Sequence, residues 1–300
     1  MKKILILLVT IVIFGCKNEK QKNGKLNVVT TTSMITDLVK NIGGQHINLQ
    51  GLMGSGVDPH LYKASEGDVT KLSSADIIFY NGLHLEGKLV EVFEKMKNKK
   101  TIAIGDALDK NTLIGSEYFA SNYDPHIWFN INYWIQATQF VTKKLSEAIP
   151  EQAAAFKSNE TVYIKQLEDL KTKIKATIET LPKEQRILVT AHDAFNYFGK
   201  AFDFEVVGLQ GLSTATEAGV QDVQKLSAFI IEKKVKAVFI ESSVPRRTIE
   251  ALQAAVKSKG HDVIIGGSLF SDALGNAGTI EGTYIGMFEY NVNTIVNALK

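Results

Sequence analysis

The sequence predicts an α/β protein of two lobes, each built on a four-stranded, mostly parallel sheet flanked by helices, with a single long helix joining them. Three observations carry that prediction. Beyond residue 24, short apolar, β-branched runs alternate with stretches of helical periodicity, as a parallel sheet with crossover helices requires. The runs also recur as two sets in the same order: VVTTTS (28–33) matches LVTAHD (188–193), NLQGLM (48–53) matches EVVGLQ (205–210), ADIIFYNG (75–82) matches VKAVFIES (235–242), and TIAIGD (101–106) matches VIIGGS (263–268). An internal repeat of this kind implies two copies of one supersecondary unit. Between the sets, Asn159–Leu181 places Tyr163, Leu167, Leu170, Ile174, Ile178 and Leu181 on one helical face, with Asn159 as its N-cap and Pro182 unable to continue it. At ~1.5 Å per residue that helix reaches roughly 33 Å, about the width of a small domain.

Taken in order, Leu26–Thr30 is an apolar strand, and Ser33 caps a helix over Met34–Ile42 closed by Gly43. Ile47–Met53 is a second strand, GSGVDPH a loop and Ser65–Ala75 a short helix. The fully apolar ADIIFY (75–80) reads as a buried parallel strand, followed by a helix around Lys88–Lys97, a strand at Thr101–Ile104 and a helix over Ile131–Ile149. The second half repeats the alternation: strands at Ile187–Thr190, Phe204–Leu209, Val235–Ile240 and Asp262–Ile265, and helices at Asp193–Phe202, Val220–Lys233, Thr248–Ser258 and Thr279–Leu299. The domain boundaries that follow are 25–158 for the first lobe, 159–182 for the linking helix and 183–300 for the second lobe. Right-handed crossovers put any ligand outside the carboxyl ends of the strands, where the lobes face each other.

The bulk numbers fit this. Three hundred residues at 45% hydrophobic and 22% charged form one large or two ordinary domains, neither disordered nor a polytopic membrane protein. Of the 34 basic residues, Lys2 and Lys3 belong to a leader, and the remainder matches the 32 acidic residues. A near-neutral chain has no electrostatic case for nucleic-acid binding. The leader itself, residues 1–15, is a signal peptide: a basic start, an apolar Ile4–Phe14, then Gly15 before the only cysteine, Cys16. Its apolar segment spans only about 16 Å as a helix, roughly half a bilayer core. Residues 16–24 then read as that cysteine followed by a polar tether. With no second cysteine, no disulfide staples the fold.

Three of the six histidines stand just after predicted strands or at helix starts: His60 in VDPHLY, His126 in DPHIWF and His192 in TAHDAF. Asp272, in SLFSDALG, joins them as a candidate. The triplet Asp-Pro-His occurs twice and uses two of only five prolines. Proline fixes φ and restricts its predecessor, so each triplet presents its imidazole from a stiff corner. Asp58 and Asp124 are placed to orient those rings by accepting the N–H that does not face a ligand. His84 reads as a loop or lobe-interface residue, and His46 and His261, which precede strands, as solvated. Trp128, Phe129 and Trp134 read as packing around or beneath the second triplet, and Arg246–Arg247 as a solvated helix start.

In combination VDPHLY, YNGLHLE, DPHIWF, TAHDAFNYF, GLSTATEAG, ESSVPRRTIEALQ and SLFSDALG resemble the motif set of the TroA-like, cluster A-I metal-binding lipoproteins, the extracellular receptors of zinc and manganese ABC importers. IFGC (13–16) likewise resembles the bacterial lipoprotein signal box, although Phe14 is bulkier than the residue usual there. The resemblance runs from about Leu26 to the end. It implies two α/β lobes joined by one long helix, a metal held between them by His60, His126, His192 and Asp272, and a lipid on Cys16. Implied partners are a membrane permease and its ATPase, with the protein monomeric and tethered to the cell envelope. Some manganese-type members have Glu where this chain has His192, and the His-rich loop of many zinc receptors is missing, because Asp106–Tyr123 contains no histidine.

Three imidazoles and one carboxylate form a full tetrahedral set, as holding rather than catalysis requires. Imidazole suits Zn²⁺ and carboxylate suits Mn²⁺, so the set accepts either, with Fe²⁺ also admitted. A bound dication would leave excess positive charge, and Glu217 and Glu241 are the nearby carboxylates expected to offset it. A zinc hydrolase on this scaffold would need a free position and a base; all four side chains are committed to the ion and no separate base stands out. A surface adhesin would bind its partner independently of His126 and His192.

Overall fold

The computed structural model describes residues 24–96, 100–116, 119 and 121–300. The leader, Cys16 and most of the tether lie outside the described residues, as does Lys97, the expected end of one helix.

In the first lobe, β1 (Leu26–Thr30) is followed by α1 (Ser33–Gly43), β2 (Ile47–Gly51), α2 (Glu66–Ser74), β3 (Ile77–Tyr80), α3 (Val90–Lys95), β4 (Lys100–Ala103) and α4 (Ile131–Ala148). The linking helix is α5 (Ala153–Glu179). The second lobe contains β5 (Ile187–His192), α6 (Asn196–Phe202), β6 (Glu205–Gln210), α7 (Val220–Glu232), β7 (Ala237–Glu241), α8 (Arg247–Ser258), β8 (Ile264–Leu269) and α9 (Tyr284–Leu299). The sheets run β2-β1-β3-β4 and β6-β5-β7-β8, and every strand pair in them is parallel. The sequence repeat is thus a repeat of topology, because β5–β8 take the places of β1–β4.

Several boundaries differ from expectation for local reasons. Thr32, not Ser33, caps α1, accepting from the Ile35 backbone N–H at 3.4 Å; Ser33 Oγ instead accepts from Leu274 N–H at 2.8 Å. The linking helix begins at Ala153 rather than Asn159, because Ala153–Ala155 are strong helix formers and Phe156 extends the buried face. Asn159 is therefore interior to the helix and donates to the Ile42 carbonyl at 2.9 Å. The final helix begins at Tyr284 rather than Thr279, with Thr283 as its cap. Strand β8 is shifted toward the C-terminus of the expected DVII and carries a register irregularity opposite Val238 and Phe239. Gly266 is required there: a Cβ would fall 2.6 Å from Ala298 Cβ and 2.7 Å from Phe239.

One buried apolar cluster crosses the molecule from Val28 and Met34 through Trp128, Phe129, Trp134 and the buried face of α5 to Phe195, Phe198, Tyr284 and Phe288. Trp134 stacks on Tyr284 with centroids 5.0 Å apart and planes 13° from parallel. Phe129 meets Phe195 at 4.3 Å. Smaller cores include Val189, Ile230 and Leu252 in the second lobe and Leu72, Ile78 and Phe93 in the first. The lobes therefore share a core, fixing the strand ends that face each other. No helix among the described residues is long and apolar enough to cross a membrane.

Candidate metal centre

Four side chains from separate strand ends converge between the lobes. His60 lies in the loop between β2 and α2, and His126 opens the short helical turn Ile127–Phe129 that leads into α4. His192 is the last residue of β5, and Asp272 follows β8. Each offers a donor atom, and all four atoms lie within 4.8 Å of one another. His60 Nε2 is 3.3 Å from His126 Nε2 and 3.9 Å from Asp272 Oδ2. His126 Nε2 is 3.6 Å from Asp272 Oδ1, and His192 Nε2 is 3.2 Å from Asp272 Oδ2. Donors held ~2.0–2.1 Å from one ion at tetrahedral angles stand ~3.3–3.4 Å apart. The spacing therefore suits a shared cation, with the carboxylate able to swing by a few tenths of an ångström.

Burial sharpens the point. His126 and His192 are 0% exposed, Asp272 1% and His60 5%. His192 Nε2 and both Asp272 carboxylate oxygens are buried without a hydrogen-bond partner among the described residues, a costly arrangement unless a ligand completes it. The close His192–Asp272 approach has the distance of a hydrogen bond but not its direction.

Two further carboxylates fix the rings. Asp124 Oδ1 accepts from His126 Nδ1–H at 2.7 Å and from the His126 backbone N–H at 2.9 Å. Glu241, the last residue of β7, accepts from His192 Nδ1–H through Oε2 at 2.6 Å and from the His192 backbone N–H through Oε1 at 2.9 Å. Each bond holds the tautomer whose Nε2 lone pair faces the other donors. The next residue, Asp193, accepts from Gly208 N–H at 2.7 Å. Gly208 must be glycine, because a Cβ would lie 2.5 Å from the Asp193 nitrogen.

The electrostatics follow from this packing. Burial pushes His60 down to about 3, Asp272 opposing that fall only in part. Burial also acts to lower His192, but the carboxylates of Glu241 and Asp272 outweigh it and hold the imidazolium well above the usual histidine range. Asp272, which burial alone would raise, is held below the carboxylate range by His192 first, then His126 and His60.

The remaining expectations divide. Asp58 does not take the His60 ring proton: its Oδ1 accepts from the His60 backbone N–H at 2.8 Å, fixing the loop rather than the tautomer. Glu217 does not join the centre. It is exposed and 3.7 Å from Arg247, because the segment after β6 carries it outward, and its place near a strand end could not reveal that. His84 is exposed, with a left-handed backbone (φ 62°), and its ring meets Phe119 edge-on at 6.2 Å. His46 and His261 are half-buried rather than solvated, His46 against Phe156 at 6.0 Å. Trp128 packs against His126 at 5.3 Å, as expected, and the two arginines pair with Glu250 and Glu217 on the surface.

Sequence reasoning missed Glu86, Asn196 and Thr214. Buried Glu86 accepts from Thr31 Oγ–H at 2.6 Å and the Asn81 N–H at 2.7 Å, tying together the ends of β1 and β3. Asn81 Nδ2 in turn donates to the Pro125 carbonyl at 2.9 Å, steadying the second Asp-Pro-His turn. The one visible signal was an acid following the apolar strand in NGLHLE.

Two parallel-sheet lobes sharing a core, with a buried three-histidine, one-aspartate cluster between the carboxyl ends of their strands, define a two-lobed binding protein for a cation. The family model described as "Zinc-uptake complex component A periplasmic" matches residues 28–298, and the chain belongs to that family of transporter solute-binding proteins. It is 48% identical over 299 residues to the manganese-binding lipoprotein MntA of Bacillus subtilis (strain 168), covering 98% of this chain and 97% of that one. It is equally 48% identical, over 287 residues, to the zinc-binding protein TroA of Treponema pallidum (strain Nichols), covering 95% and 92% respectively. The solved structure of the periplasmic zinc binding protein TroA from Treponema pallidum superposes with a TM-score of 0.89 over 92% of this chain and 99% of that chain.

Proposed function

We propose that this protein is the lipid-anchored, metal-capturing component of an ABC importer, holding Zn²⁺ or Mn²⁺ as cargo through His60, His126, His192 and Asp272. The observation that carries the reading is the convergence of four buried donors, three of whose polar atoms lack a hydrogen-bond partner among the described residues. Asp124 and Glu241 position two of the imidazoles and place negative charge behind them, which strengthens them as donors. With every donor turned inward, the chemistry is retention of an ion and delivery to a permease, not turnover of a substrate. Cys16 supplies the lipid anchor, and the two lobes on either side of the linking helix Ala153–Glu179 act as the two jaws. The reading is tested by native mass spectrometry with elemental analysis of protein purified without added metal. One ion per wild-type chain and none retained by Asp272→Ala is expected; a metal-free wild type in the presence of excess Zn²⁺ and Mn²⁺ would refute it.

A further inference from the structure

The two Asp-Pro-His aspartates are built alike. Each gives Oδ1 to the backbone N–H of its own histidine, His60 at 2.8 Å and His126 at 2.9 Å. Each gives Oδ2 to a side chain of the opposite lobe: Asp124 accepts from Asn196 Nδ2 at 3.1 Å, and Asp58 accepts from Thr214 Oγ–H at 2.5 Å. Both histidine turns are therefore hydrogen-bonded across the cleft, but the surroundings of the two bonds differ.

Asp124 is 0% exposed. Its backbone carbonyl also accepts from Tyr197 Oη at 3.0 Å, and nearby Trp128 is bound to Ser271 and Tyr284 across the same interface. That crosslink cannot open without disturbing the shared core. Asp58 lies on the side of His60, the most exposed of the four donors, so it borders the mouth of the site. Thr214 is the one buried residue of the segment 211–219 after β6, whose other residues are exposed or half-buried. Other contacts of that segment, Gln210 Nε2 to the Thr216 carbonyl at 3.2 Å, Asp193 N–H to the Gly211 carbonyl at 3.3 Å, Gly219 N–H to Asp222 at 2.8 Å and Arg247 to Glu217 at 3.7 Å, stay within the second lobe.

We infer that Thr214 is a positioning residue for metal retention: its hydroxyl, donated to Asp58, pins the 211–219 segment over the His60 side of the centre, and breaking this one bond opens the path by which the ion leaves. The inference rests on the four donors being the metal site. A short hydrogen bond to a carboxylate, largely shielded from water, is among the stronger neutral-to-charged contacts, and losing it leaves Asp58 Oδ2 unpaired. The effect falls on the rate of leaving rather than on the coordination itself, because Thr214 touches Asp58 and no donor atom.

The test is release of Zn²⁺ from the loaded, full-length chain to a chelator by stopped flow, comparing wild type, Thr214→Val and Thr214→Ser. Thr214→Val, which keeps the shape and removes the hydroxyl, should release the ion about tenfold faster with its association rate and Co²⁺ absorption spectrum unchanged. Thr214→Ser should restore the wild-type rate. Equal release from wild type and Thr214→Val, with one ion bound to each, would overturn the inference and leave the metal site standing. Failure of the wild type itself to bind Zn²⁺ would overturn both.

Discussion

At the scale of single residues, burial acts to lower the His192 imidazole, but the carboxylates of Glu241 and Asp272 outweigh it and raise it above the ordinary imidazole range. A metal needs the Nε2 lone pair, so any proton taken up there must leave on binding. A set of unperturbed histidines would stop competing with metal above about 6.5. Raising the His192 value carries that competition to higher pH, so affinity should keep climbing between pH 6.5 and 8, with proton release accompanying binding. His60, pushed down to about 3, adds competition only in acid. Isothermal titration in buffers of different ionisation enthalpy reads both quantities; a flat affinity with no proton release across that range would contradict this electrostatic picture.

Much of this residue-level picture was legible in the chain, and the boundary is physical. The two Asp-Pro-His turns and TAHDAF are local patterns, visible because proline and strand ends have fixed conformational meaning. Thr214 and Asn196 act across the cleft on residues far away in sequence, and nothing local in GLSTATEAG distinguishes the one buried threonine from its exposed neighbours. The place of Glu217 after a strand points to the centre, but its orientation depends on the path of the segment after β6, which carries it to Arg247 on the surface.

At the scale of elements, α5 is the shared wall of both lobes. Tyr163, Leu167, Leu170, Ile174 and Ile178 along it are all at most 2% exposed, so its stability comes from packing more than from propensity. Leu170→Ala should lower global stability by about 2–5 kcal/mol in urea unfolding. A loss below about 0.5 kcal/mol would show that the helix is a solvated connector. The apolar face of this helix was readable from its spacing alone. Its start was not, because Asn159 has the chemistry of a cap but sits where the chain is already helical and bonds to Ile42 instead. The strand set was readable from the paired runs, whereas the ends of β8 and α9 depend on a register shift and a turn that only tertiary packing fixes.

At the scale of the whole molecule, a continuous core and a continuous helix between the lobes oppose wide hinge closure. Domain closure of the hinge type needs a few connecting residues free to change φ and ψ, whereas here Trp134, Tyr284, Phe129 and Phe195 interlock across the divide. Spin labels at exposed Lys63 and at exposed Lys257 of α8, on opposite lobes, should keep nearly the same mean separation when metal is added. An opening equivalent to tens of degrees would contradict the shared-core description. Retention must then depend on local contacts around the donors.

In the proposed site one ion is gripped by three imidazoles and one carboxylate, two donors from each lobe. X-ray absorption at the zinc edge of the loaded protein counts those donors directly. The expected spectrum shows nitrogen and oxygen neighbours at ~2.0–2.1 Å, with imidazole scattering that fits three rings and falls to two in His192→Ala. A shell fitted by a single imidazole, or one unchanged by that substitution, would contradict it.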